Sequence, residues 1–255
     1  MGTSRQDGSL FTSIQNKIAT VEFGHPASNS FPSTLLQRLT EELNELSKND
    51  EVSVIVLKSE GERAFCAGAS FNELVGIDNL EDGIQFFSGF ANVINAMRAC
   101  SKIIVGRIQG KAVGGGVGLV SACDYALATE AASVKLSEIS IGIGPYVIAP
   151  AVQRKIGVAA FSDLTLDATT WKNAYWAKEK GLYARVFESL EELDKEVDLF
   201  AAKLASYNPD ALSELKTIFW EGTEDWNDLL LERAKITGRL VLSDFTKNAL
   251  AKFSK

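Results

Sequence analysis

Gly110-Lys-Ala-Val-Gly-Gly-Gly-Val-Gly-Leu-Val-Ser-Ala-Cys-Asp124 is the stretch on which the reading of this chain turns. Five glycines, at positions 110, 114, 115, 116 and 118, fall within nine residues. The β-branched run Ile103-Ile-Val-Gly-Arg-Ile108 precedes them, and the small apolar run Val117 to Ala122 follows. The pattern predicts a strand, a glycine turn and a buried helix. The first amides of such a helix lack intrahelical partners and sit at the positive end of its dipole, so the turn can hold an anion, or a carbonyl oxygen that becomes one. A tight turn with close helix–strand packing accounts for the glycines equally well. The stretch is not a Walker loop, because Gly-Lys-Ser/Thr is absent, and it does not match GxGxxG.

A second small-residue loop, Ala64-Phe-Cys-Ala-Gly-Ala-Ser70, lies just after another strand-like run, Val52-Ser-Val-Ile-Val-Leu57. That run is apolar but for Ser53, as expected of a strand covered on both faces. Two backbone loops of this kind can offer two N–H donors to one oxygen.

Outward from these loops, Leu10 to Ile14 and Ile18 to Phe23 flank Asn16-Lys17 and predict a hairpin. Pro32 starts a helix whose leucines 35, 36, 39, 43 and 46 share one face. A longer helix over 80–100 carries Phe86, Phe87, Phe90, Ile94 and Met97; the phenylalanines serve as plain core or line a pocket. Repeated strand–loop–helix units argue for an α/β fold with its site at strand ends. From Ser189 the pattern is helical throughout, opened by the capping box Ser189-Leu-Glu-Glu192. The expected organisation is a loose tail over 1–9, an α/β core over 10–189 that holds the site, and a helical region over 190–255.

Composition narrows the function. With 255 residues, 46% hydrophobic and 23% charged, the chain is an ordinary globular one with ample core. No apolar run reaches ~18 residues and Met1 to Ser9 is polar, so neither a membrane span nor a secretory signal is expected. A net charge of −7 makes nucleic acid an unsuitable partner. Cys66, Cys100 and Cys123 lack metal spacing and read as buried thiols of a reducing cytoplasm. His25, the single histidine, lies in a turn before a proline; Ser-His-Asp and Cys-His sites would have to use it. Glu138, between apolar segments, reads locally as a solvent-facing residue.

Taken in order and spacing, Ala64-Phe-Cys-Ala-Gly-Ala, then Gly-Gly-Gly-x-x-Leu-x-x-Ala-Cys-Asp ending at Asp124, then Lys135-Leu-Ser-Glu-Ile-Ser-Ile-Gly-Ile143, then Gln153, Arg154 and Gly157 resemble the crotonase (enoyl-CoA hydratase/isomerase) superfamily. The match covers most of residues 10 to 190. The resemblance implies a spiral of ββα units with a C-terminal helical oligomerisation region, assembled as a homotrimer or a dimer of trimers. It implies an acyl-CoA thioester substrate, with coenzyme A part of that substrate, no separate cofactor and no metal. Carried over by position, Glu138 becomes the acid/base, the backbone amides of Ala67 and Gly115 the oxyanion donors, and Ala67, Gly68, Ala69, Ser70, Gly114 and Gly115 the contacts to the CoA ester.

Three positions depart from the family pattern. The second glutamate of the hydratases belongs at Gly118; Ser70 stands where an aspartate is usual; and Tyr146 puts bulk where small residues are usual. One glutamate suffices to move a proton from C2 to C4, so the expectation is isomerase-like chemistry. A true hydratase, for example of methylglutaconyl-CoA, and a non-catalytic acyl-CoA-binding member are the alternatives.

Overall fold

The structure, a computed structural model, describes residues 7–252. Most of the expected tail, residues 1–6, lies outside the described residues, and β1 begins at Ser9. Strands β1 (Ser9–Gln15) and β2 (Ile18–Gly24) form the antiparallel hairpin; Asn16 and Lys17 both take positive φ (52° and 66°), the two-residue turn whose twist suits a hairpin. Helix α1 (Ser33–Lys48) buries all five predicted leucines. Parallel strands β3 (Val54–Ser59), β5 (Ile103–Ile108), β7 (Tyr125–Thr129) and β9 (Arg185–Phe187) extend the sheet in the order β1-β2-β3-β5-β7-β9.

The inner strands of this sheet are covered on both faces, which is why Val54 to Leu57 and Ile103 to Val105 are apolar at consecutive positions. Ile55 and Leu57 point into the main core with α1, α3 (Leu80–Ala99) and α4 (Gly115–Ala122). Val54 and Val56, their alternates, meet Leu193, Val197 and Ala201 of α7 (Leu190–Ala205) and Leu212 of α8 (Pro209–Phe219).

A second, smaller parallel sheet runs in the order β4 (Ala64–Cys66), β6 (Lys111–Val113) and β8 (Val134–Lys135). Each turn of the chain thus lays one strand in the large sheet, one in the small sheet and then a helical segment: β3-β4-α2 (Phe71–Val75), β5-β6-α4, and β7-β8 with the 3-10 turn Glu138–Ile141. This is the expected spiral. Helices α5 (Ala149–Leu166) and α6 (Ala174–Glu179) lead to β9. Helix α5 is interrupted at Gly157 (φ 75°, ψ 162°). The helical region is integral to the core: α9 (Trp226–Leu240) lies across α3 and buries Trp226, Leu230 and Ala234, and α10 (Asp244–Ala251) packs on the 3-10 turn. No helix among the described residues is long and apolar enough to cross a membrane.

Candidate active site

The small sheet builds the site. Its three strands run parallel and adjacent, with Cys66 opposite Ala112 and Val113 opposite Lys135. The segments leaving their C-terminal ends therefore emerge side by side: Ala67–Ala69 after β4, Gly114–Gly115 after β6, and Ser137–Glu138 after β8. Gly114 N–H donates to Lys135 O at 3.0 Å and ties the second segment to the third. A Cβ built on Gly68 would stand 3.5 Å from Gly115 N, so the first and second segments are equally close.

The glycine triplet is explained contact by contact. Gly114 has φ 54° and ψ −122°, a conformation that L side chains rarely adopt, and a Cβ there would stand 2.9 Å from Glu138 Oε1. Beyond it, the Phe90 ring closes on Gly115 and the Cys66 carbonyl on Gly116, at 2.4 and 2.5 Å from where a Cβ would sit. Close packing is what lets α4 present its N-terminus to the cavity.

Glu138 opens the 3-10 turn, which Gly142 closes in the left-handed region (φ 87°). The residue as a whole is half-buried, yet its Oε2 is fully covered and accepts no hydrogen bond. Burial pushes the carboxyl up from 4.5 to about 7, with only its own backbone N–H pulling the other way. The local reading of a solvent-facing glutamate is overturned, because the carboxyl turns inward over Gly114.

The amide of Ala67, the expected donor, already has an acceptor. Ser28 and Asn29 both take positive φ (55° and 56°), and this turn delivers Ser28 O to Ala67 N–H at 3.1 Å. Gly68 N–H donates to Cys66 Sγ at 3.3 Å, and Ser70 N–H to Phe31 O at 2.9 Å. Among the described residues, the amide of this loop left without an acceptor is that of Ala69; Gly115 N–H is likewise unbonded. Ala67, Gly68, Ala69, Gly114, Gly115 and Glu138 all line one cavity of about 210 Å³. Ser70 does not line it: its hydroxyl caps α2 by accepting Glu73 N–H at 3.4 Å. Glu73 in turn accepts the Ser33 amide and hydroxyl at the start of α1, fixing the loop to the core.

The rest of the cavity wall is apolar. Phe86, Phe87 and Phe90 of α3 line it, resolving that cluster as pocket as well as core. Sequence reasoning missed Ile148 and Thr237 as site residues. Ile148 lies two residues past Tyr146, and its Cγ2 stands 2.5 Å from where a Cβ of Gly118 would sit. The place of a second glutamate is therefore filled. Thr237 is brought in by α9, inside the region read as an oligomerisation element, and its hydroxyl donates back to Arg233 O at 3.2 Å. Among the described residues, no lysine, arginine or histidine lines the cavity. Cys66, beneath it, is held as a thiol, its pKa pushed by burial to about 12, so it is no nucleophile. His25, in the turn before Pro26, is half-buried, its Nδ1 accepting Ala27 N–H at 3.2 Å.

Comparison with known proteins agrees with this architecture. A family profile described as enoyl-CoA hydratase/isomerase matches residues 13–247. The chain is 28% identical over 222 residues to the putative enoyl-CoA hydratase/isomerase YngF of Bacillus subtilis, covering 86% of this chain and 84% of the relative. It is 29% identical over 197 residues to a peroxisomal Δ(3,5)-Δ(2,4)-dienoyl-CoA isomerase of Arabidopsis thaliana, covering 71% and 69%. The enoyl-CoA hydratase structure from Bacillus halodurans superimposes with a TM-score of 0.88 at 20% identity, over 95% of this chain and 99% of that one; this likeness shows the fold. The chain belongs to the enoyl-CoA hydratase/isomerase family of the crotonase superfamily.

Proposed function

We propose that the chain is an acyl-CoA isomerase in which Glu138 alone moves a proton on an α-carbon activated by its thioester. The observation that carries this reading is the Glu138 carboxyl: its Oε2 is covered and has no hydrogen-bond partner, and the residue lines one apolar cavity with Ala69 and Gly115, whose amides are unbonded. The thioester oxygen accepts from Ala69 N–H and Gly115 N–H, which stabilise the enolate as it forms; removing one such donor typically costs ~3 kcal/mol of transition-state stabilisation. Glu138, poised near neutral pH, takes the proton at C2 and returns it at C4. The acyl chain lies along Phe86, Phe87 and Ile148.

Ile148 over Gly118 supports isomerisation over hydration, because it leaves no room for a second carboxylate to activate water. The wall without a cation supports an uncharged acyl group: a substrate carboxylate of the methylglutaconyl kind would lie unpaired beside Glu138. A purely binding role gives no reason to keep a covered, unpaired glutamate.

The test is the absorbance of the conjugated enoyl thioester. Added to a 3-enoyl-CoA, the protein should raise it; added to a 2-enoyl-CoA, it should leave it unchanged. A fall with the 2-enoyl ester means that water adds, and overturns the isomerase reading.

A further inference from the structure

A second cavity, of about 380 Å³, shares no lining residue with the first. It is bounded by Asp124, Arg154 and Lys155 with Ile218, Phe219 and Trp220. Its charges do not balance. Both carboxylate oxygens of Asp124 are taken: Oδ2 accepts Ile104 N–H at 2.7 Å and Lys216 Nζ at 2.8 Å, and Oδ1 accepts Trp220 Nε1–H at 2.9 Å. Lys155 Nζ reaches the neutral carbonyl of Asp124 at 3.0 Å, and the Arg154 guanidinium lies 5.1 Å from the centre of the Trp220 ring. Among the described residues neither cation has a carboxylate within ion-pair distance. With Asp124 committed to Lys216, two cations border the cavity without an ion-pair partner of their own, in a chain whose net charge is −7.

Burial lowers the pKa of Lys155 before Asp124 raises it in part, so an anion in the cavity would relieve a desolvated ammonium. The rim adds a second preference. Ile218 and Phe219 are 55% and 47% exposed there, apolar surface that an organic body would cover.

We propose that this cavity is a binding site for an anion, a phosphoryl or carboxylate group carried on an apolar body, held by Arg154 and Lys155 against Ile218 and Phe219. The head group makes charge-assisted hydrogen bonds to the two cations, and Trp220 keeps the guanidinium in place. The site is separate from the glutamate cavity and does not depend on the reaction assigned there.

The test is thermal unfolding of the full chain titrated with inorganic phosphate, phenyl phosphate and benzoate, each against sodium chloride of equal ionic strength. A saturable rise in Tm with phosphate or benzoate is expected, and the better head group identifies the class. Phenyl phosphate should half-saturate at a lower concentration than inorganic phosphate. Arg154→Gln and Lys155→Gln should each weaken the response about tenfold or more. Lys111→Gln, the same charge change at an exposed position outside the cavity, should not. Arg154 is itself exposed, so its variant keeps the test decisive where Lys155→Gln fails to fold. No response beyond chloride, or a response that survives Arg154→Gln, overturns the proposal. A cavity already filled by a carboxylate of a second copy would give the former result.

Discussion

Glu138 and Asp124 are both acidic residues that follow a strand or helix of the spiral, and both carboxyls are removed from water. Their surroundings are opposite. The Asp124 side chain is 2% exposed and saturated, with Lys216 (its side chain also 2% exposed), the Trp220 indole and the Ile104 amide all donating to it. Glu138 is given no partner beyond its own backbone, and its Oε2 is orphaned. The first arrangement holds α8 against the end of β5 and leaves nothing to react. The second weakens the fold and leaves a proton acceptor whose affinity has moved toward neutral pH. A buried carboxylate is structural or reactive according to the donors around it.

Exchanging the two acids for neutral residues should separate these roles. Glu138→Gln should cut turnover by about 10²–10⁴-fold while CoA-ester binding survives, read by steady-state rates and ligand titration. It should leave Tm unchanged or raised. Turnover within a few-fold of the parent would mean that Glu138 is not the base. Asp124→Ala should act the other way round, because it strands Lys216 in the interior. The expected loss is about 3–5 kcal/mol in a denaturant melt. Replacing Asp124 and Lys216 together by leucine and methionine should cost clearly less than the two single losses summed. Additive losses would show that the pair is not one unit.

The same contrast has a pH signature. Glu138 binds its proton more tightly folded (about 7) than at its ordinary 4.5, so between those values the folded chain carries more protons than the unfolded one. Its contribution to stability is whole below pH 4.5, falls as pH rises through about 7, and is then flat; the drop is on the order of 3 kcal/mol. Glu138→Gln should flatten that stretch of the stability–pH curve. An unchanged slope would place its source elsewhere. The rate should follow the opposite course, rising to a plateau above about pH 7 as the carboxylate form fills.

How much of this is legible before the chain folds depends on how local the cause is. The large sheet declares itself in Val54 to Leu57 and Ile103 to Val105, because a strand buried on both faces is apolar at consecutive positions, with Arg107 admitted through its ion pair to Asp194. Helix α1 declares itself in five leucines at helical spacing. The free amide does not. The Ala67 amide is occupied by the carbonyl of a left-handed turn at Ser28–Asn29, far upstream, while the Ala69 amide is left open. Nothing within Ala64–Ser70 carries that information. The burial of Glu138 is equally remote, since it needs α10 packed on the 3-10 turn as well as the cavity wall supplied by α3, α9 and Ile148.

The solitude of Glu138 also rests on one contact that sequence shows only in half. Gly118 announces a missing carboxylate; it does not announce that Ile148 has moved into the space. A Cβ at Gly118 would stand 2.5 Å from Ile148 Cγ2 and 2.9 Å from its Cβ, and the branched side chain cannot swing both atoms away. Gly118→Ala should therefore lose about 1–3 kcal/mol by overpacking. Gly118→Glu alone should fail to create a hydratase, since the new carboxylate has no room. Ile148→Ala should recover most of the Gly118→Ala loss, a coupling readable in a double-mutant cycle of melts. In the Ile148→Ala background, Gly118→Glu has space to place a second carboxylate beside the first. Hydration of a 2-enoyl-CoA should then rise above the parent. A rise with Gly118→Glu alone would mean that Ile148 does not guard the site, and that Glu138 is solitary only for want of one residue.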